Sequence, residues 1–173
     1  LMVGGPEGRG VYDGLWAPVV GMTDEPRWIV DEMLGRLARY LRFLGYDTEY
    51  ATGRADEEIS AIAHAQGRTL LTRDRLLGRQ VPGAIALASD RLGPQLLELR
   101  RALPHLRTTV SFERCTRCNG RLSPVDPAEP TVGVVLGFVP PSPVYQCERC
   151  AHLYWEGSHT AGIRNFLRAT FSG

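Results

Sequence analysis

The chain of 173 residues contains no lysine; all twenty of its Lys-or-Arg positions are arginine. It contains no cysteine before residue 115. No apolar run approaches the ~18 residues that a membrane-spanning helix needs, which excludes that architecture from the sequence. Nothing resembles a secretory signal, so a reducing, cytoplasmic setting is expected and structural disulfides are disfavoured. Exclusive use of arginine has a compositional explanation in a GC-rich coding sequence. Its physical consequence is a surface of planar guanidinium forks, suited to bidentate phosphate contacts and to stacking on bases.

What the chain does have begins with its cysteines. Cys115-Thr116-Arg117-Cys118 and Cys147-Glu148-Arg149-Cys150 are two Cys-x-x-Cys pairs with 28 residues between their inner members. Two such pairs suit one tetrahedral Zn²⁺ held by four thiolates, a closed structural site with no open position for chemistry. A redox dithiol comes as a single pair at a strand–helix junction, which fits less well. Charge divides along the same line. Residues 1–90 hold ten Arg against thirteen acids, and residues 91–173 hold ten Arg against six. An acidic half joined to a basic half suits a protein whose carboxylates hold a metal while its arginines hold a phosphate backbone.

Hydrophobic periodicity predicts an α/β body. Residues 1–26 are rich in Gly and read as a flexible leader. From Arg27, short apolar runs alternate with helical patterns: strands at Trp28–Val30, Tyr46–Ala51, Thr69–Thr72 and Ala84–Ala88, with helices between and after them. That alternation argues for a mostly parallel sheet with helices on both faces. We place this three-layer domain at residues 27–110 and a zinc module at 111–173. Between its Cys pairs lie six prolines and a Val-rich piece at residues 131–139, read as ribbon-like loop. The tail carries Ile163, Phe166, Leu167 and Phe171 on one face, predicting an amphipathic helix capped by Ser158 and docked on the body. Zinc removal is expected to unfold the ribbon and leave the acidic centre largely intact.

On this layout Asp31, Asp74 and Asp90 each follow the C-terminal end of a strand, and Asp56 opens a helix. In an open parallel sheet those ends share the ligand-binding edge. Clustered carboxylates there would call for a hard cation, Mg²⁺ or Mn²⁺. The competing reading is that these aspartates are helix N-caps. Asp56 and Asp90 suit the cap reading better than Asp31 and Asp74 do.

The ordered residues also carry a family resemblance. The stretch from Val30-Asp31-Glu32-Met33-Leu34-Gly35-Arg36-Leu37-Ala38-Arg39-Tyr40 through Gly45-Tyr46-Asp47-Thr48 resembles the start of the Mut7-C RNase domain family. Asp56-Glu57-Glu58-Ile59, Leu70-Leu71-Thr72-Arg73-Asp74, Ser89-Asp90, and both Cys pairs with Tyr154-Trp155-Glu156-Gly157 match in order. The resemblance implies a PIN-like nuclease domain followed by a zinc ribbon. It implies metal-dependent ribonuclease chemistry with Asp31, Asp56, Asp74 and Asp90 as catalytic carboxylates, Asp31, Asp74 and Asp90 holding Mg²⁺ or Mn²⁺.

Arg36, Arg39 and Arg73 are the candidate RNA contacts beside them, and tRNA, rRNA and the ribosome are candidate partners. Tyr145, Tyr154 and Trp155 stand as base-stacking platforms or as filling for the ribbon's small core. His159 is read as a first-turn residue of the tail helix. Two rival functions remain: a non-catalytic RNA-binding protein, and a protein-interaction module built on the ribbon.

Overall fold

The computed structural model describes residues 25–140 and 143–172. Most of the leader expected over residues 1–26 lies outside the described residues. Trp28-Ile29-Val30-Asp31 forms β1, buried along its whole length. A short 3-10 turn, Glu32–Leu34, leads into α1 (Gly35–Phe43), which buries Leu37, Ala38 and Leu41 and leaves Arg36 and Arg39 exposed. Then come β2 (Thr48–Ala51), α2 (Asp56–Gln66), β3 (Thr69–Thr72), α3 (Arg75–Gln80), β4 (Ile85–Ala86) and α4 (Leu92–Ala102). Gly67 ends α2 in the left-handed conformation at φ 58°, where a side chain would be strained. The fourth strand is shorter than its sequence pattern suggested, since only two of its residues pair with β3.

The four strands are all parallel in the order β2-β1-β3-β4. Side chains alternate between the faces, as strand geometry requires. Trp28, Val30 and Leu71 point to one side and pack with α1 and α4 through Leu41, Leu96 and Leu99. Ile29 and Leu70 point to the other side and pack with α2 and α3 through Ile59, Ala63 and Leu77. Helices therefore cover both faces of the sheet, and the expected three-layer, PIN-like α/β architecture holds. Helix α1 lies on the first face, while α2 and α3 lie on the second. The chain thus reverses direction across the sheet between β1 and β3, and a topological switch point opens at their carboxyl ends.

After α4 the chain builds a three-stranded antiparallel sheet, β5 (Leu122–Val125), β6 (Val144–Cys147) and β7 (Leu153–Trp155), in the order β5-β6-β7. The Val-rich piece is not loop: Pro130–Leu136 forms α5, with Pro in its first turn and Gly137 ending it at φ 72°. Proline at a helix start and glycine just past its end specify the helix despite the β-branched residues between them. The last helix, α6 (Ser158–Phe171), buries Ile163 and Leu167 in the first core beside α4. Gly157, not Ser158, is its N-cap, and no side chain caps it. Thr160 turns its hydroxyl back to the Trp155 carbonyl instead.

Candidate functional site

At the switch point, Asp31 ends β1 opposite Ala51 of β2, and Thr72 ends β3 opposite Ala86 of β4. Asp31 is only 5% exposed. One of its oxygens accepts from the Met33 N–H at 2.9 Å. The other accepts from the Thr72 hydroxyl and from the Arg73 N–H at 3.2 Å. Thr72 in turn accepts from the Asp74 N–H at 2.8 Å. A single hydrogen-bonded chain therefore joins Asp31, Thr72 and Asp74. One Asp74 oxygen accepts from the N–H groups of Leu76 at 2.6 Å and Leu77 at 3.1 Å, capping α3.

The cap assignments from sequence are thereby reversed. Asp31 and Asp74 cap helical turns, whereas Asp56 is the first residue of α2 behind an Ala55 cap and Asp90 precedes the Arg91 cap of α4. The reason is tightness: β1 runs directly into its helical turn and only Arg73 and Asp74 separate β3 from α3, so each aspartate falls within reach of the orphan amides.

Asp56 and Asp90 are exposed and, among the described residues, share no hydrogen-bonded network with Asp31. Asp56 borders a depression with Ser60, His64 and Gln80. Beside Asp90, sequence reasoning missed Glu98 of α4. Its carboxylate accepts from the N–H groups of Ala88 at 2.8 Å and Ser89 at 3.1 Å and from the Ser89 hydroxyl. Burial raises the Glu98 pKa, but these donors outweigh it and hold the carboxyl below its usual range. Arg36 and Arg39 lie exposed on α1. Arg73 is half-buried, and its Nε is one of two buried side-chain polar atoms without a partner among the described residues.

The four cysteines do converge. Their sulfurs lie within 4.8 Å of one another, with Cys115–Cys150 at 3.6 Å and Cys118–Cys147 at 3.4 Å. All four are free thiols, which excludes the disulfide reading. At a Zn–S length of about 2.3 Å, tetrahedral geometry puts sulfurs about 3.8 Å apart, so this spacing fits a structural zinc. Among the described residues no second group of three or more metal-ligating side chains draws together in this way.

The two knuckles repeat one turn. Asn119 N–H bonds the Cys115 carbonyl and Ala151 N–H bonds that of Cys147, each at 2.9 Å, with φ at 64° and 56°. Gly120 follows because nothing larger fits: a Cβ there would stand 2.9 Å from the Cys147 sulfur. Tyr154, offered above as a stacking platform, instead places its hydroxyl 3.1 Å from the Cys115 sulfur. Against a burial effect that raises it, this bond and the knuckle's N–H groups bring the Cys115 thiol down to about 6, favouring the thiolate a metal requires.

The knuckle is also tied to the body. Arg42 of α1 is buried and donates to the carbonyls of Thr48 at 2.9 Å and of Thr116 and Arg117 at 3.1 Å each. Asn119 accepts from the Thr48 N–H at 2.9 Å and donates to Asp47 at 2.7 Å. Asp47 also pairs with Arg68 at 2.8 Å. Burial would raise the Asp47 pKa, but Arg68 and Asn119 hold its carboxyl below the usual value. Two of the three acceptors on the buried Arg42 belong to the cysteine knuckle, so body and ribbon share this interlock.

The fold and both sites now stand beside known proteins. The family model of the Mut7-C RNAse domain matches residues 26–167, nearly the whole chain. An α/β protein with a parallel sheet and a four-cysteine metal site is the class the geometry defines. The chain belongs to the Mut7-C RNAse domain family. No curated protein and no solved structure matches it. Family membership supports a nuclease-like activity with RNA as substrate or partner. Among the described residues no helix is long and apolar enough to cross a membrane.

Proposed function

We propose that the chain is a metal-dependent ribonuclease whose working edge is the switch point between β1 and β3. The observation that carries this is the Asp31–Thr72–Asp74 chain with the partnerless Arg73 Nε beside it. Hard carboxylate oxygens suit Mg²⁺ or Mn²⁺, and Asp74 keeps one oxygen free of hydrogen bonds among the described residues. Asp31 and Asp74 would hold the ion, with water and the RNA phosphate filling the rest of its shell. When bound, such an ion activates water and neutralises charge on the scissile phosphate.

The chain's own residues supply position and charge. Thr72 and the Met33 amide fix the Asp31 carboxylate in one orientation. Arg73, held at the edge by its own amide, offers its guanidinium to a phosphate oxygen. Arg36 and Arg39 on α1 extend the cationic track, and the zinc ribbon braces the other end of that helix.

A second reading draws on one specific observation: Asp31 and Asp74 satisfy helix-start amides, so they have a structural role without catalysis. The protein would then bind RNA and not cut it. Asp74→Asn separates the two, because Asn caps a helix about as well as Asp does. With Mn²⁺ and a labelled RNA, the first reading expects cleavage by the native chain and a loss of at least about 100-fold in Asp74→Asn, at an unchanged melting temperature. Equal cleavage by both proteins, or none by the native chain across a series of divalent metals, sinks the catalytic reading.

A further inference from the structure

Away from the carboxylate edge, a cavity of about 780 Å³ lies where α1, the ribbon and the start of α6 meet. That volume falls inside the range of about 300–1,000 Å³ typical of small-ligand sites. Arg39, Arg117, His152 and His159 line it together with the rings of Phe43 and Trp155, and no Asp or Glu does. Among the described residues neither Arg39 nor Arg117 forms an ion pair, although the chain pairs Arg54, Arg68, Arg107, Arg114 and Arg164 with carboxylates. Ser158, His159 and Thr160, the first turn of the 14-residue α6, also face the cavity, and no side chain caps that turn.

Two guanidinium groups without an ion-pair partner among the described residues (Arg117 contacts only the His152 ring nitrogen, at 3.4 Å), uncapped helix amides and aromatic walls in one concavity are complementary to a phosphate joined to a planar base. A duplex presents its bases already paired and stacked, and only an unpaired nucleotide could enter such a concavity. The cavity also shares α1 with the carboxylate edge: Asp31 lies one 3-10 turn before that helix and Phe43 is its last residue. Nine helical residues span roughly 13 Å, about the rise of four stacked nucleotides.

We infer that this cavity is a second RNA subsite, which seats an unpaired nucleotide of a single strand while the strand runs along α1 to the carboxylates. Its phosphate lies between Arg39, Arg117 and the start of α6, and its base stacks against Phe43 or Trp155. The inference rests on the nuclease reading only for the direction of the strand; binding itself needs no cleavage. Arg39 thereby gains a specific role, and Arg117, inside the first Cys pair, couples the zinc knuckle to the substrate.

The test reads binding alone, by fluorescence anisotropy of a labelled ten-nucleotide single-stranded RNA on the Asp74→Asn protein, which leaves the RNA whole. Adding Arg39→Ala and Arg117→Ala together is expected to weaken binding at least about ten-fold and to make the dependence on salt shallower by about two phosphate contacts. A hairpin duplex and a mononucleotide are expected to bind at least about ten-fold more weakly than the single strand. Unchanged affinity in the variant overturns the subsite. Tight binding of the mononucleotide also overturns it, by making the cavity a site for free nucleotides.

Zinc content and melting temperature are measured on each variant. Should Arg117→Ala lose zinc, the native protein is crosslinked to RNA carrying 4-thiouridine. Crosslinks at Phe43 or Trp155 support the subsite, and crosslinks confined to the 31–36 and 72–76 segments overturn it. Failure of the native chain to cleave, with these binding results intact, counts against the nuclease reading alone.

Discussion

In the two knuckles Ala151 matches Asn119 and Gly120 matches His152, and Gly120 and Ala151 respond to substitution in opposite senses. Gly120→Ala forces a methyl against the Cys147 sulfur and is expected to weaken zinc retention by about 10–100-fold, read by metal release to a chromogenic chelator. Ala151→Gly relieves a side chain held at φ 56° and should raise stability by up to about 1 kcal/mol, read by thermal melting with zinc present. Asp47 makes a prediction about acid. Its folded pKa lies below the ordinary 3.8, so its contribution is complete above that value and fades as pH falls through the folded pKa. The stability gap between the native chain and Asp47→Asn should therefore be constant near neutrality and close below about pH 4. Legibility at this scale was uneven. The cysteines declared themselves because metal-ligand spacing is local, whereas Arg42 and Asn119 act across more than seventy residues and look in sequence like any arginine or asparagine.

Among the elements, β3 was readable because Thr-Leu-Leu-Thr is a short apolar run closed by a turn, and two buried faces demand nothing more. Helix α5 was not, because its valines favour strand and only its terminal Pro and Gly specify helix. That helix leaves Val134 84% and Val135 70% exposed and buries only Val132, with Leu136 partly covered, a stripe too short for periodicity to register. For α6 the amphipathic pattern and its docking were both legible, since Ile163 and Leu167 must be buried somewhere. Leu167 is 1% exposed in the core beside α4, so Leu167→Ala should cost about 2–5 kcal/mol in chemical denaturation. The carboxylate site was half legible. Strand ends located Asp31 and Asp74 together, but nothing in the sequence distinguished a strand-end aspartate that caps from one that does not.

For the molecule as a whole, body and ribbon are joined at α6 and at Arg42. Chelation of zinc should therefore lower the melting temperature of the entire chain, where independent halves would show two separate transitions in calorimetry. Arg42→Met keeps an unbranched stem but leaves the carbonyls of Thr48, Thr116 and Arg117 without their donor. It is expected to reduce zinc retention although it touches no sulfur, and a zinc titration followed by melting checks this. Burial lowers the Arg42 pKa, opposed by Glu49 and the Cys115 and Cys118 thiols, yet a guanidinium stays charged inside proteins. An apo chain therefore confines a cation whose acceptors have come loose, and the remedy open to it is partial unfolding. Abundance in a growing cell would then follow metal supply: when zinc is scarce, proteolysis clears the chain before its unbraced form accumulates.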